Sequence, residues 1–333
     1  MNPSLSSPNK TVLILGAAGR LGLCLVQAFS SAGWQVLAQA RKPLPPKFAA
    51  LAGVQALHCD ALDREALRIG GQGAQVLINA LNPPYTEWDE LLLPLAAAAQ
   101  DTALALNALL ILPGNVYNFG NQLPALLLEQ GRTAEQANTP KAGLRIELEA
   151  RMAAAAPQLR SVVLRAGDFF GGPGRGSWFD LALVSRIHKG QVVHPGPLDL
   201  PHAWAYLPDL ADCFVRVAEH HAEISGHQRL HFSGHTLEGQ VLHQALEQAW
   251  GRPLQASRLP WGLIRLGAPF VASWRAIAEM RYLWQRPHRL DDRELRELIG
   301  EPPHTPLLKA VQDSLQALGI NTPTRPAAQE VLA

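Results

Sequence analysis

Three glycines at equal spacing, Gly16, Gly19 and Gly22, lie between the apolar run Val12-Leu13-Ile14-Leu15 and an apolar helical pattern. Glycine at each tight place lets the backbone approach a pyrophosphate. The amino end of the following helix then offers free N–H groups and the positive end of its dipole. Gly16, Ala18, Gly19, Arg20, Leu21 and Gly22 are therefore candidate cofactor-binding residues. An ordinary glycine-rich strand–helix turn is the alternative. Its place at the first strand of an alternating chain favours a dinucleotide.

The residues just beyond the second apolar run narrow the choice of cofactor. A binder of NAD usually places Asp or Glu there, about 20 residues on, to accept from the ribose 2′-hydroxyl. This chain has Gln39-Ala40-Arg41-Lys42, two cations and no carboxylate. Arg41 and Lys42 suit a 2′-phosphate through charge-assisted hydrogen bonds, so NADP(H) is expected in preference to NAD(H). A solvated basic turn is the other reading. Asp60, beside Ala61, could accept from the adenine amino group, whereas Asp63 reads as the cap of the next helix. In Asn79-Ala80-Leu81-Asn82-Pro83, small residues at a strand end permit close approach of the nicotinamide ribose.

These residues need a sheet to hold them. Thr11–Leu15, Gln35–Ala38, Val54–His58, Val76–Asn79, Leu109–Leu112 and Ser161–Arg165 have strand length. Leu21–Ala32, Asp63–Ile69, Glu87–Ala105 and Ala142–Ala156 have helical spacing. The alternation predicts an α/β fold: a doubly wound parallel Rossmann sheet, with a smaller interleaved C-terminal α/β substrate lobe. We expect a flexible tail over 1–10, an NADP-binding domain over 11–171, and a mainly substrate-binding lobe over 172–333 that partly returns to the first domain. The segment Gly171-Gly172-Pro173-Gly174-Arg175-Gly176 marks the change of texture.

Composition bounds the rest. Of 333 residues, 29 are Lys or Arg and 28 are Asp or Glu, so no overall field draws nucleic acid or anionic lipid. Cys24, Cys59 and Cys213 have no paired spacing and read as small buried hydrophobes in a reducing compartment. Met1 to Lys10 has no apolar core of a signal peptide. The apolar runs Leu91–Ala99 and Leu259–Met280 are too short or too interrupted to span a bilayer. A cytoplasmic protein with a small-molecule substrate, and with neither nucleic acid nor membrane as partner, is expected.

The chain resembles the extended and atypical short-chain dehydrogenase/reductases, specifically the NAD(P)-dependent epimerase/dehydratase-like group. The resemblance is carried by the glycine turn, Asp60 with Asp63, Asn79 to Pro83, Gly114-Asn115-Val116-Tyr117, Arg165-Ala166-Gly167-Asp168-Phe169-Phe170-Gly171, His202 to Ala211 and the ending Asp291…Leu298-Ile299-Gly300…Pro306. It runs from about residue 11 to 320. It implies substrate contacts at Asn82, Asp168, Phe169, His202 and Trp204. It also implies a homodimer through the helices Glu87–Ala105 and Ala142–Ala156.

In that family a Tyr and a Lys four residues apart open the helix after the fifth strand, and the pair moves a proton as hydride moves. Here the matching residues are Lys141 and Arg145, and the family's Ser/Thr is missing from Leu112-Pro113-Gly114-Asn115-Val116-Tyr117. Lys141 could bind the cofactor ribose or phosphate or donate a proton. Tyr117 could supply a phenol from the neighbouring loop, and Asn115 could hydrogen-bond a carbonyl. A solvated helix end, with Glu147 and Glu149 as partners of Lys141 and Arg145, is the plainer reading.

Other constellations carry less. His227, His231 and His235 are evenly spaced, but Arg229–Ser233 reads as a strand, and no zinc-type motif is present, so no metal is expected. Asp209 reads as a helix cap. The stretch Trp261…Phe270…Trp274…Tyr282…Trp284 fits a core-facing amphipathic helix, a lid over an apolar substrate or a partner-binding face. Three functional readings remain: an NADP(H)-dependent oxidoreductase or epimerase-like enzyme acting on a carbonyl or hydroxyl of a small molecule, for instance a sugar derivative; a non-catalytic NADP-sensing regulatory protein; and a scaffold that keeps the fold alone.

Overall fold

In the computed structural model, which describes residues 10–321, the six apolar runs become parallel neighbours in one sheet. The strands of the first half are β1 (Thr11–Leu15), β2 (Gln35–Gln39), β3 (Val54–Leu57), β4 (Val76–Asn79), β5 (Leu109–Gly114), the two-residue β6 (Leu126–Leu127) and β7 (Ser161–Ala166). Later come β8 (Asp168–Phe170), β9 (Gln191–His194), β10 (Pro201–Tyr206), β11 (His227–Phe232), β12 (His235–Glu238), β13 (Gln255–Arg258) and β14 (Arg289–Leu290). The main sheet runs β11-β7-β5-β4-β1-β2-β3, every pairing parallel. Strand order reverses between β1 and β4, and such a switch point opens a crevice at the carboxyl ends of the strands.

The sequence dictates two covered faces. Val12, Leu13, Ile14 and Leu15 are all fully buried, as a central parallel strand must be. Val12 and Ile14 join a core with Leu25 and Phe29 of α1 (Arg20–Ser31). Leu13 and Leu15 join the opposite one, with Leu67 of α3 (Arg64–Gly70), Ala99 and Ala103 of α4 (Trp88–Leu106), and Leu148 and Met152 of α5 (Pro140–Ala154). The short α2 (Pro46–Ala49) links β2 to β3. Each expected helix is present within two residues of its expected start.

The second half does not form a detached body. β11 completes the main sheet, and Phe214 and Val217 of α6 (Leu207–Glu219) sit in the same core as Phe29 of α1. The remaining strands form a small β12-β10-β8 sheet and the pairs β13-β9 and β14-β6. Around them lie α7 (Gly239–Trp250), α8 (Trp261–Gly267), α9 (Ala272–Glu279), α10 (Arg293–Ile299) and α11 (Leu307–Ala317). The expected tail, Lys10 excepted, lies outside the described residues. One local expectation is corrected: Asp209 caps no helix, because α6 already begins at Leu207. Its carboxylate instead accepts from the Thr305 N–H at 2.7 Å and the Thr305 hydroxyl at 2.6 Å.

Candidate functional site

The glycine turn is built for close approach. Gly16 adopts a φ of +75°, and a Cβ there would lie 3.0 Å from the carbonyl oxygen of Ala80. At Gly22 a Cβ would come within 2.3 Å of the Gly16 oxygen, so only glycine lets α1 start against the turn. Ala18 and Gly19 are exposed at the mouth, while Leu21 and Gly22 are buried beneath. The first turn of α1 holds no acidic residue and no side-chain cap, which leaves its N–H groups for an anion. The Arg20 side chain is held within the protein. Its Nη2 donates to the Gly171 carbonyl at 2.9 Å and Nη1 lies 3.6 Å from Asp180. Asp180 also accepts from the N–H of Gly176 and of Ser177, so Arg20 fastens the glycine-rich segment across α1.

The neighbouring strand ends are joined by a residue that sequence reasoning treated only as the absence of an acid. Gln39 is buried, accepts from the Gly16 N–H at 3.0 Å and donates to the Cys59 carbonyl at 2.8 Å. It thereby locks the turns after β1, β2 and β3 together. Arg41 and Lys42 just beyond are exposed, and neither has an ion-pair partner among the described residues. Asp60 is exposed and accepts from the Leu62 N–H at 2.9 Å, Ala61 is buried beside it, and Asp63 caps α3 as expected. At the end of β4, Asn79 is buried and accepts from the Leu81 N–H at 3.3 Å, while Asn82 is exposed.

The other end of the crevice is made of side chains. The Tyr117 and Tyr85 hydroxyls lie 2.7 Å apart, and the Tyr85 ring stands between Trp88 and the Lys141 ammonium, the latter 5.2 Å from its centroid. Burial raises both phenols, Tyr85 to about 12 and Tyr117 well above its ordinary value. Asn115 accepts from the Tyr117 N–H at 3.0 Å and so fixes that loop. Lys141 is buried, and its ammonium pairs with Glu279 of α9, whose other oxygen takes the Lys141 N–H at 3.1 Å. The expected partners Glu147 and Glu149 do not hold it: Glu147 pairs with Arg151, and Glu149 lies 3.6 Å from Arg145.

Arg145 belongs to a buried ionic cluster beneath this end. Its Nη2 donates to the Pro113 carbonyl at 3.0 Å. Fully buried Glu149 also pairs with fully buried Arg165, which in turn holds Glu135. Across the crevice His202 Nε2 lies 2.7 Å from Asp168, and its ring stacks flat on Trp284 at 4.0 Å with Trp204 alongside. Phe169, from the same short strand as Asp168, packs instead toward the α1 core. The structure thus brings Asp168, His202 and Trp204 together and separates Phe169 from them. Tyr85, Glu279 and Trp284 were not foreseen as site residues, and only the aromatic run that ends in Trp284 gave a sign. Among the described residues no cluster of His, Cys, Asp and Glu could hold a metal.

Sheet order, glycine turn and small second lobe together define a doubly wound Rossmann-type α/β fold with a second, smaller lobe. Residues 8–100 match the NmrA-like family. By structure the chain is similar to UDP-glucose 4-epimerase from Bifidobacterium longum in complex with NAD+ and UDP, with a TM-score of 0.72 at 16% identity over 94% of this chain and 99% of that one. The Bordetella bronchiseptica enzyme WbmH in complex with NAD+ gives 0.71 at 15% identity over 93% and 98%. UDP-glucose 4-epimerase from Brucella ovis in complex with NAD gives the same values. No curated protein matches the chain by sequence.

Proposed function

We propose that the chain binds NADP(H) across the β1–β4 crevice and carries out oxidoreduction or epimerisation at a carbonyl or hydroxyl carbon of a small molecule. The observation that carries this is the cradle at Gly16 and Gly22, which a Cβ would fill, opening onto an uncapped helix start. The unpaired Arg41 and Lys42 favour the 2′-phosphate form. The nicotinamide, when bound, supplies or accepts a hydride. The chain's own contribution is proton placement: Tyr117 and Tyr85, kept neutral by burial, can donate to an oxygen that gains charge. Lys141, matched by Glu279, positions Tyr85 and the ribose side of the crevice. Nucleotide sugars are the substrate class to test first, given the UDP in one similar structure.

Titration of the protein with NADPH and NADH tests the first half; we expect at least about tenfold tighter binding of NADPH, equivalent to ~1.4 kcal/mol. A sugar-nucleotide and carbonyl panel followed by nicotinamide absorbance and product analysis tests the second. Tyr117→Phe should then lower turnover by about a hundredfold, the usual scale of a lost general acid. A non-catalytic NADP sensor is the second reading, favoured by Lys141 and Arg145 being engaged with Glu279 and Pro113. NADPH binding with no turnover, and no effect of Tyr117→Phe on NADPH affinity, would select it.

A further inference from the structure

The near-neutral charge of the whole chain conceals a local imbalance. From Arg252 to Arg289 there are seven arginines, Arg252, Arg258, Arg265, Arg275, Arg281, Arg286 and Arg289, against one carboxylate, Glu279. Glu279 is already paired with Lys141. None of the seven arginines has an ion-pair partner among the described residues, and all but Arg281 are exposed. The same segment carries the densest apolar exposure: Leu263 is 57% exposed, Leu266 73% and Phe270 87%, with Val271 beside them. Leu263 and Leu266 are three apart on α8 and share a face. Neither α8 nor α9 buries a single residue completely.

This hairpin is a built protrusion. A Cβ on Gly267 would strike the Trp274 ring at 2.3 Å, so that ring closes α9 directly onto the end of α8. At one root the Trp261 indole N–H donates to the Pro195 carbonyl at 2.6 Å and its ring meets Trp178. At the other root Glu279 holds Lys141, at the edge of the crevice. The tip, residues 263–271, is what remains uncovered.

We propose that the tip of the α8–α9 hairpin docks on an anionic lipid surface, with Leu263, Leu266, Phe270 and Val271 entering the headgroup–acyl boundary and Arg265 and Arg275 meeting lipid phosphates. An apolar face flanked by arginine is the composition of an interfacial element, and no such element needs to cross the bilayer. Among the described residues no helix is long and apolar enough to do so. A second copy fits worse, because a two-fold contact through this face would bring the two arginine sets together. Docking would place the crevice edge beside the membrane, without altering the chemistry inside it.

Co-sedimentation of the full chain with vesicles tests this, comparing pure phosphatidylcholine with phosphatidylcholine containing about 30% phosphatidylglycerol. The expected result is binding to the anionic vesicles only, weakened by salt. Leu266→Glu combined with Phe270→Glu should lower partitioning by about tenfold or more, with thermal stability and NADPH binding unchanged. Arg265→Glu with Arg275→Glu should remove the preference for anionic lipid. As a check on insertion, Phe270→Trp should gain fluorescence that brominated acyl chains quench. Absence of vesicle binding overturns the proposal, as does binding indifferent to the tip variants. A soluble dimer or a captured acidic protein lost on the same substitutions, without lipid binding, would assign the face to that partner instead.

Discussion

The two ends of the crevice are made of different material. At the glycine-turn end the surface is mainly backbone: a left-handed Gly16 and a helix start pressed onto it through Gly22, held from beneath by the buried side-chain amide of Gln39 tying three strand ends. At the other end the contacts are side chains gathered from distant parts of the chain, Tyr85, Tyr117, Lys141, Asp168, His202, Glu279 and Trp284. A backbone cradle tolerates almost no substitution and therefore leaves a fixed spacing in the sequence. A side-chain assembly can exchange members as long as charge and hydrogen bonds balance.

The largest effect should come from breaking the cradle. Gly22→Val places side-chain atoms where even a Cβ lies 2.3 Å from the Gly16 oxygen. Calorimetric titration should show NADPH binding lost. Gly22→Ala, the milder form, should weaken it by about a hundredfold or more, ~2.7 kcal/mol, with far-ultraviolet circular dichroism retained. Wild-type affinity in Gly22→Ala would mean that the turn is not where the dinucleotide sits.

The same contrast explains what the sequence disclosed. The parallel sheet was legible because β1, β4 and β5 are short, apolar and separated by helical spacing. The tight turn after β1 was legible because its three glycines lie just past the strand end at fixed distances. Asp63 as a cap could be read locally, whereas Asp209 could not, because its partner Thr305 lies 96 residues away. For the same reason Glu279 could not be assigned to Lys141 across 138 residues. Arg145 stood where the family's Lys was expected and read most plainly as a solvated helix end; in three dimensions it is one member of a buried charge cluster. Residues before Lys10 and after Asn321 lie outside the described part.

That cluster supplies the next test. Glu149→Ala leaves Arg165 and Arg145 buried without their shared carboxylate, and stranded buried charges of this kind cost about 3–5 kcal/mol. Thermal unfolding should fall by roughly 10 °C for a chain of this size. Calorimetry on the remaining folded protein should still show NADPH binding, because no member of the cluster touches the glycine-turn end. Equal loss at both ends would mean that they are not separable.

Acid should act on the side-chain end too, and somewhat more gently, through His288, whose ring lies 4.6 Å from that of His202, and His231, which meets Phe119 beside the Arg165 cluster. Burial pushes His288 and His231 down to about 3 from 6.5, so the folded chain refuses protons that the unfolded chain accepts below 6.5. Their stabilising contribution is complete above 6.5 and is lost as pH falls toward 3. Each amounts to about 1.4 kcal/mol per pH unit within that window. Between pH 7 and pH 5.5 these two rings should together contribute a loss of roughly 2.5 kcal/mol in denaturant unfolding, and His288→Phe should remove about half of that contribution. An unchanged pH dependence in His288→Phe would contradict the buried neutral state of that ring.

The smallest effect concerns the exposed side chains at the glycine-turn end. Arg41 and Lys42 stand free in solvent, so the double variant Arg41→Ala, Lys42→Ala should leave stability untouched. Its effect should fall on one ligand. Two exposed charge-assisted contacts to a 2′-phosphate are worth a tenfold loss of NADPH affinity, about 1.4 kcal/mol, with more at low salt. NADH lacks that phosphate, and its affinity should stay within about twofold of wild type, ~0.4 kcal/mol. If both cofactors weaken together, the cations merely attract anions and the choice between NADP and NAD must lie in the backbone. If neither changes, ligand recognition at the glycine-turn end rests on backbone alone, and the contrast between the two ends sharpens.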